Sequence, residues 1–501
     1  MLDSRPRRRG QPHLDKDDSD VRTRLAGLFL AGVAIAGLAI GVSLGTAQAQ
    51  ARDDQAVRPG EPKTVVHHPA HARRHTRATD KAPSVPLPRQ KPTTQKADTK
   101  PGQPPERPQF TAAEDAAAQI PGMPDARFFS DAVPAFQRAL PAQPGPWLVL
   151  STGGEEGAYG AGFLNGWLQT GTRPEFSVIT GVSTGALMAT YVFAGPQFAE
   201  ELHQVYTTVS ATDIFEVAAT PESLVDSWPL AKMIDKRVTP EILAAVAAEY
   251  KKGRRLFVLT TDLDAGRTVV WNMGAIAAHG DEAALKLFRQ VLLAASSIEA
   301  FFPPVYITVE ANGRQFQEMH GDGGVLGPLF FGPEVYLVPG SPLKLPASEL
   351  YVIFNGKLTT EFSETSRSTA SILGRTIGLA LKAGGRLQLA LAAVAAQRAN
   401  IALNLTSVPD SFDQVGRGLF DPKYMNALYD LGAARGRSDS RFPKDQMTSP
   451  PEPAARTAPP AQSASPPPAP VVPSVRSEAS PHPAPQAPAA NAGTAGETAP
   501  K

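Results

Sequence analysis

The chain has 501 residues, a formal net charge of +1 and no cysteine. A near-neutral balance gives no basis for nucleic-acid binding, and the lack of cysteine excludes disulfides, thiolate metal sites, a thiol nucleophile and a lipid-modified cysteine. The length would allow two or three domains, but composition points to one large domain carrying extensions at both ends.

The N-terminus reads as an address. Arg5, Arg7, Arg8, Arg9, Arg22 and Arg24 precede an uncharged stretch from Leu25 to Leu44, followed by Ala47-Gln48-Ala49. A positive flank, an apolar segment and an A-x-A site make a secretory signal over 1–50; the apolar segment is also long enough to stay in the bilayer as an N-terminal anchor. Either reading places the rest of the chain outside the cytoplasm, periplasmic or secreted if the source is bacterial. Residues 51–115 form a basic, Pro-rich linker; over 51–108, Lys and Arg outnumber Asp and Glu by twelve to six. It reads as a solvated tether, or as a segment attracted to an anionic membrane or cell-wall surface. Sixteen of the 49 prolines lie in the tail at 441–501, which has too little apolar surface to offset its ordering entropy. The folded domain is therefore expected at 116–440, with residues 110–146 as a strap along its surface.

From Trp147 onward, short apolar runs alternate with helical stretches. Strand Trp147–Leu150, helix Ala161–Gln169, strand Phe176–Ile179 and helix Thr184–Phe193 make a β-α-β-α series, the pattern of a parallel sheet covered by helices. Further strands are expected at Leu256–Thr261, Thr268–Trp271, Val305–Glu310, Arg314–Met319, Val335–Val338 and Tyr351–Phe354. Asn312-Gly313 signals a tight hairpin between two of them. Helices are expected at Pro240–Tyr250, at Asp281–Ala295, and from Asp421-Pro422 to Leu431. Ser366–Asn404 reads as two helices broken at Gly384-Gly385. The fold class is α/β, with a mixed, mostly parallel central sheet.

Two glycine-bearing turns carry the chemistry. Thr152-Gly153-Gly154-Glu155-Glu156-Gly157 comes after the first strand, and Gly181-Val182-Ser183-Thr184-Gly185 after the second. A strand that breaks at Gly-x-Ser-x-Gly and resumes as a helix presents its serine on a sharp turn, with Gly181 and Gly185 leaving room for strand and helix to approach. Ser183 is the candidate nucleophile, and the amides of Gly153 and Gly154 are candidate oxyanion donors. A serine needs a base. Of nine histidines only His203, His279 and His320 fall in the expected domain, and none occupies the late position of a Ser…Asp/Glu…His order. Asp322, in His320-Gly321-Asp322-Gly323-Gly324, is the best-placed acidic residue; on its own, an Asp-Gly turn has the simpler reading of a turn. No metal-ligand cluster is visible in the sequence, so no cofactor is expected.

Taken together, these three motifs resemble the patatin-like phospholipase family, serine acyl hydrolases with a Ser–Asp dyad and no histidine. The resemblance covers about 147–340 and implies a three-layer α/β/α fold. It also implies a Ser183–Asp322 dyad with a Gly153/Gly154 oxyanion hole acting on membrane lipids or lipid-like esters. Ala294-Ala295-Ser296-Ser297 and Phe302-Pro303-Pro304 are similar to the family's stretch before the aspartate. In one respect the chain departs: the family's loop runs Gly-Gly-Gly-x-Arg-Gly, whereas Thr152 and Glu156 stand at its first glycine and its arginine. Glu155 and Glu156 suit a helix start by their charge; facing the cleft instead, they would repel a phosphate headgroup. Gly157-Ala158-Tyr159-Gly160-Ala161-Gly162 has the wrong spacing for a dinucleotide loop, and its glycines are expected to let the first helix approach the sheet. The alternative function is a catalytically silent, envelope-tethered binding module of the same fold.

Overall fold

The computed structural model describes residues 107–218 and 222–444. The segments read above as an N-terminal signal or anchor and as a basic linker up to 106, and the tail from 445, lie outside the described residues. The chain begins with α1 (Ala112–Ala117), β1 (Arg127–Phe129), α2 (Val133–Ala139), β2 (Pro146–Leu150), α3 (Gly157–Gln169), β3 (Val178–Val182) and α4 (Thr184–Ala194). Next come α5 (Ala199–Thr207), α6 (Ala211–Ile214), α7 (Trp228–Arg237), α8 (Pro240–Lys251), β4 (Arg255–Asp262), β5 (Arg267–Asn272), α9 (Met273–His279) and α10 (Glu282–Ala295). It ends with β6 (Val305–Ala311), β7 (Arg314–Asp322), β8 (Glu349–Phe354), α11 (Thr369–Ala399), β9 (Ala402–Ser407) and α12 (Pro422–Arg437).

The strands form one sheet in the order β1-β5-β4-β3-β2-β8-β9. From β4 to β9 all neighbours run parallel, because helices return the chain to the same edge each time. At the other side, β5 pairs antiparallel with both β4 and β1. The β6–β7 hairpin turns at Asn312-Gly313, both at positive φ as a two-residue turn of this hand requires. This is the expected α/β architecture, with helices on both faces of a mixed sheet. Alternation along each strand feeds two cores. In β2, Leu148 and Leu150 enter the core beneath α3, α4 and α10, while Trp147 and Val149 enter the one beneath α11.

Several elements differ from the sequence expectation. Val335–Val338 is not a strand; Glu334–Tyr336 forms a 3-10 turn after Pro333 that drives Tyr336 against Phe136, ring centroids 5.6 Å apart. α11 runs unbroken through Gly384-Gly385, because Gly385 lets the ring of Phe354 lie where a Cβ would stand, 2.7 Å from its nearest atom. The helix stops at Asn400 in the left-handed conformation, and the chain continues as β9, which the sequence pattern merges into the helix. The glycines of α3 face more than the sheet. Gly160 meets Asn355 and Ile353 at the sheet, but Gly162 and Gly166 press on Tyr429 and Ala433 of α12, whose Gly432 and Gly436 press back on Tyr159 and Phe163. Packing also begins ahead of residue 116: Phe110 stacks on Phe316 at 4.5 Å, and Arg107 pairs with Asp264. The segment 110–146 is more than a surface strap, since β1 extends the sheet and Phe136 is fully buried.

Candidate active site

In a parallel sheet every strand points its carboxyl end to one edge, where loops gather side chains into a crevice. Register along β4 brings two candidates together there. Val182, the last residue of β3, pairs with Leu259; on the same side of β4, the next residue, Thr260, pairs with Asp322. Ser183 comes directly after Val182, so the serine and the aspartate meet end to end across the break between β3 and β7.

Ser183 has φ 56° and ψ −127°, a conformation that a non-glycine residue adopts only under constraint. The constraint comes from packing. A Cβ at Gly185 would lie 2.6 Å from the carbonyl oxygens of Leu150 and Ser151, and one at Gly181 would lie 2.4 Å from the Gly185 oxygen. Tyr206 donates its hydroxyl to the Thr184 carbonyl at 2.6 Å, fixing the first turn of α4 behind the serine.

Asp322 ends β7. Its Oδ1 accepts the Gly324 N–H at 2.7 Å, and its backbone carbonyl accepts the Thr261 hydroxyl at 2.8 Å. Oδ2 is buried and has no hydrogen-bond partner. Burial pushes the Asp322 carboxyl up to about 7, against the opposing pull of the Ser183 hydroxyl and the Gly324 N–H.

Gly153 and Gly154 lie in the same cleft as Ser183 and Asp322, a cavity of about 450 Å³. Asn355, at the end of β8, holds this loop: its N–H donates to Ser151 Oγ at 2.8 Å and its side-chain amide donates to the Ser151 carbonyl at 3.0 Å. No side chain fits at Gly153, where a Cβ would sit 2.4 Å from the Asn355 carbonyl oxygen; Gly154 takes φ 54°. The sequence reading does not single out Asn355, although a polar residue closing an apolar strand at the carboxyl edge is an available signal.

Glu155 and Glu156 line this cleft as well as preceding α3, so charge complementarity to the helix is only part of their placement. Glu155 accepts the Phe420 N–H, and burial raises its pKa. Glu156 is pushed up to about 7 by burial, partly offset by Lys382 and Lys357. Glu299, also unsuspected from sequence, lines the cleft with both carboxylate oxygens buried and unpartnered; burial and the neighbouring Asp322 charge raise it well above the usual carboxylate range. The cleft is thus less anionic at neutral pH than its four carboxyl groups suggest.

The three domain histidines lie away from the cleft. His203 is half-buried on α5, 3.7 Å from Glu200 and against the Tyr429 ring, and His279 is exposed at the end of α9. His320 is fully buried with both ring nitrogens engaged, Nδ1 with Thr260 Oγ1 at 3.0 Å and Nε2 with Glu318 Oε2 at 3.1 Å. Asp262, Glu318 and His320 bring potential ligand atoms within 4.8 Å of one another, a grouping that sequence separation conceals. Glu318, however, already accepts from the Arg127 guanidinium with both of its oxygens.

The model of the patatin-like phospholipase family matches residues 148–333, a span that contains both glycine turns, Ser183 and Asp322. This segment is similar to patatin-like phospholipase domains, a family of lipid acyl hydrolases. No curated protein matches the chain in sequence. Among solved structures, the crystal structure of VipD from Legionella pneumophila is similar over 59% of this chain and 67% of that one, at 9% identity and a TM-score of 0.31. A likeness that loose assigns nothing further.

Proposed function

We propose that this protein is a serine acyl hydrolase that cleaves carboxylic-ester bonds of lipids, phospholipids among them, through Ser183 and Asp322. The observation that carries the reading is a serine on a constrained turn that shares one cleft with a buried aspartate whose Oδ2 has no hydrogen-bond partner. Ser183 Oγ attacks the ester carbonyl carbon while its proton passes to Asp322 Oδ2. The carbonyl π pair moves onto oxygen, and the N–H groups of Gly153 and Gly154 stabilise that oxyanion; one such donor contributes a factor of about 10²–10³ in rate. Collapse of the tetrahedral intermediate breaks the C–O bond, and Asp322 returns the proton to the departing alkoxide. Water then attacks the acyl-serine, giving its proton to Asp322, and the fatty acid leaves with Ser183 restored.

The substrate class is supported by the lining. Ile298, Phe301, Phe302, Leu381 and Leu419 offer an apolar wall suited to an acyl chain. The raised pKa values of Glu155, Glu156 and Glu299 weaken the objection that this cleft repels a phosphate headgroup. The Arg5–Leu44 pattern supports a reaction outside the cytoplasm. The test is release of fatty acid from phospholipid and from neutral glyceride by the wild type, Ser183→Ala and Asp322→Asn. Release by the wild type and its loss in both variants is expected. Equal release by Ser183→Ala would sink the reading, and no release from any ester by folded wild type would favour the silent binding module.

A further inference from the structure

α11 is 31 residues long, about 46 Å at the helical rise, and it has two unlike faces. Leu389, Ala392, Ala395 and Ala396 are buried against the sheet. On the other side Ile372, Leu379, Leu387 and Val394 are exposed, Leu387 to 62%. Their spacing of seven or eight residues keeps them on one stripe. A soluble helix ordinarily turns polar residues outward, so this stripe lacks the partner its composition calls for.

Charge says what that partner is. Between Glu364 and Asp410 the chain has no acidic residue; of the five cations there, Lys382 pairs with Glu361, Arg375 and Arg398 donate to backbone carbonyls, and Arg367 and Arg386 are exposed. An apolar stripe among cations suits the interface of an anionic bilayer. Pairing with a second copy would instead bring like charges together. α11 is long and apolar enough to cross a membrane, but its inner face belongs to the core and cations interrupt it, so it lies along the surface. Position supplies the second argument. Gly374, Ile377, Gly378, Leu381 and Lys382 of this helix line the cleft that holds Ser183, and the exposed Val325 and Leu419 stand in the same lining.

We propose that the outer face of α11 docks on an anionic lipid surface and so holds the cleft, lined by the inner face of the same helix, close to it. Docking draws its purpose from the lipid acyl hydrolase reading, but its test does not depend on that reading.

The chain has no cysteine, so a single one introduced by Leu387→Cys or Val394→Cys can carry an environment-sensitive fluorophore without competing labels. The full chain is used in a Ser183→Ala background, which keeps the lipid intact. A label at this stripe reports local contact even if the protein is tethered elsewhere. With vesicles of phosphatidylglycerol and phosphatidylcholine in equal parts, blue-shifted emission and quenching by nitroxide lipid are expected at 387 and 394, and neither at Lys236→Cys on α7. Adding Arg386→Gln should weaken the response about fivefold. An unmoved label at 387 and 394, a shift equal to that at 236, or a shift that tracks protein concentration without vesicles would each overturn the proposal. Insertion by a protein whose wild type hydrolyses no ester would leave docking standing and remove the reaction; hydrolysis with an unmoved label would do the reverse.

Discussion

Replacing Asp322 with asparagine should stabilise the fold at alkaline pH. The folded carboxyl has a pKa of about 7, against an ordinary value of 3.8. Because the folded value is the higher, the native state holds the proton more tightly than the unfolded chain does. No penalty exists below the unfolded pKa; it grows between about pH 4 and pH 7, and is fully present above the folded pKa. Three pH units correspond to about 4 kcal/mol at most. Asparagine keeps an acceptor for the Gly324 N–H and carries no charge at any pH, so it escapes this penalty. Urea denaturation of wild type and Asp322→Asn from pH 4 to pH 8.5 measures the difference. Relative to wild type, the variant should gain stability steadily across that window and level off above about pH 7. A difference that stays flat with pH would refute the reasoning that Asp322 is a desolvated carboxylate. Such a gain, paired with lost activity, is the trade-off expected of a functional group held in an unfavourable environment.

The same geometry sets three further outcomes. In wild type, kcat/KM on a soluble short-chain ester should rise through about pH 7 to a plateau, because the base must be ionised; a profile already level at pH 5 would contradict the role given to Asp322. Gly162→Ala would put a Cβ 2.0 Å from the Tyr429 carbonyl oxygen, and Gly432→Ala would put one 2.0 Å from that of Tyr159, so each should cost about 1–3 kcal/mol in urea unfolding; the pair should be non-additive because both act on one helix contact. Arg127→Met should lower stability by about 3–5 kcal/mol by leaving Glu318 charged, buried and without its guanidinium, and adding Glu318→Gln should recover part of the loss.

Much of this fold is legible in the sequence because its strands are short apolar runs with turn residues at their ends. The β-α-β-α series around Ser183 can be placed within a few residues on that basis. The parts that cannot be read depend on tertiary neighbours. Gly384-Gly385 looks like a helix break until Phe354 is found filling the space beside it, and Val335–Val338 looks like a strand until Tyr336 is drawn into an aromatic core. The glycines of α3 are visible, but their partners lie some 270 residues away on α12. At the cleft, Ser183 and Asp322 carry local motifs. Asn355 and Glu299 carry none, since each matters through its surroundings: a loop to brace, or a neighbouring carboxylate.

The central claim is that Ser183 attacks carbonyl carbon with Asp322 as its base. Mass-spectrometric mapping of a fluorophosphonate adduct tests it most directly, with the rate of labelling measured in wild type and in Asp322→Asn across pH. The account predicts an adduct on Ser183 alone, formed faster as pH rises through about 7 and slowed severely by Asp322→Asn. An adduct on another residue, or labelling of Ser183 at an undiminished rate in Asp322→Asn, would contradict it.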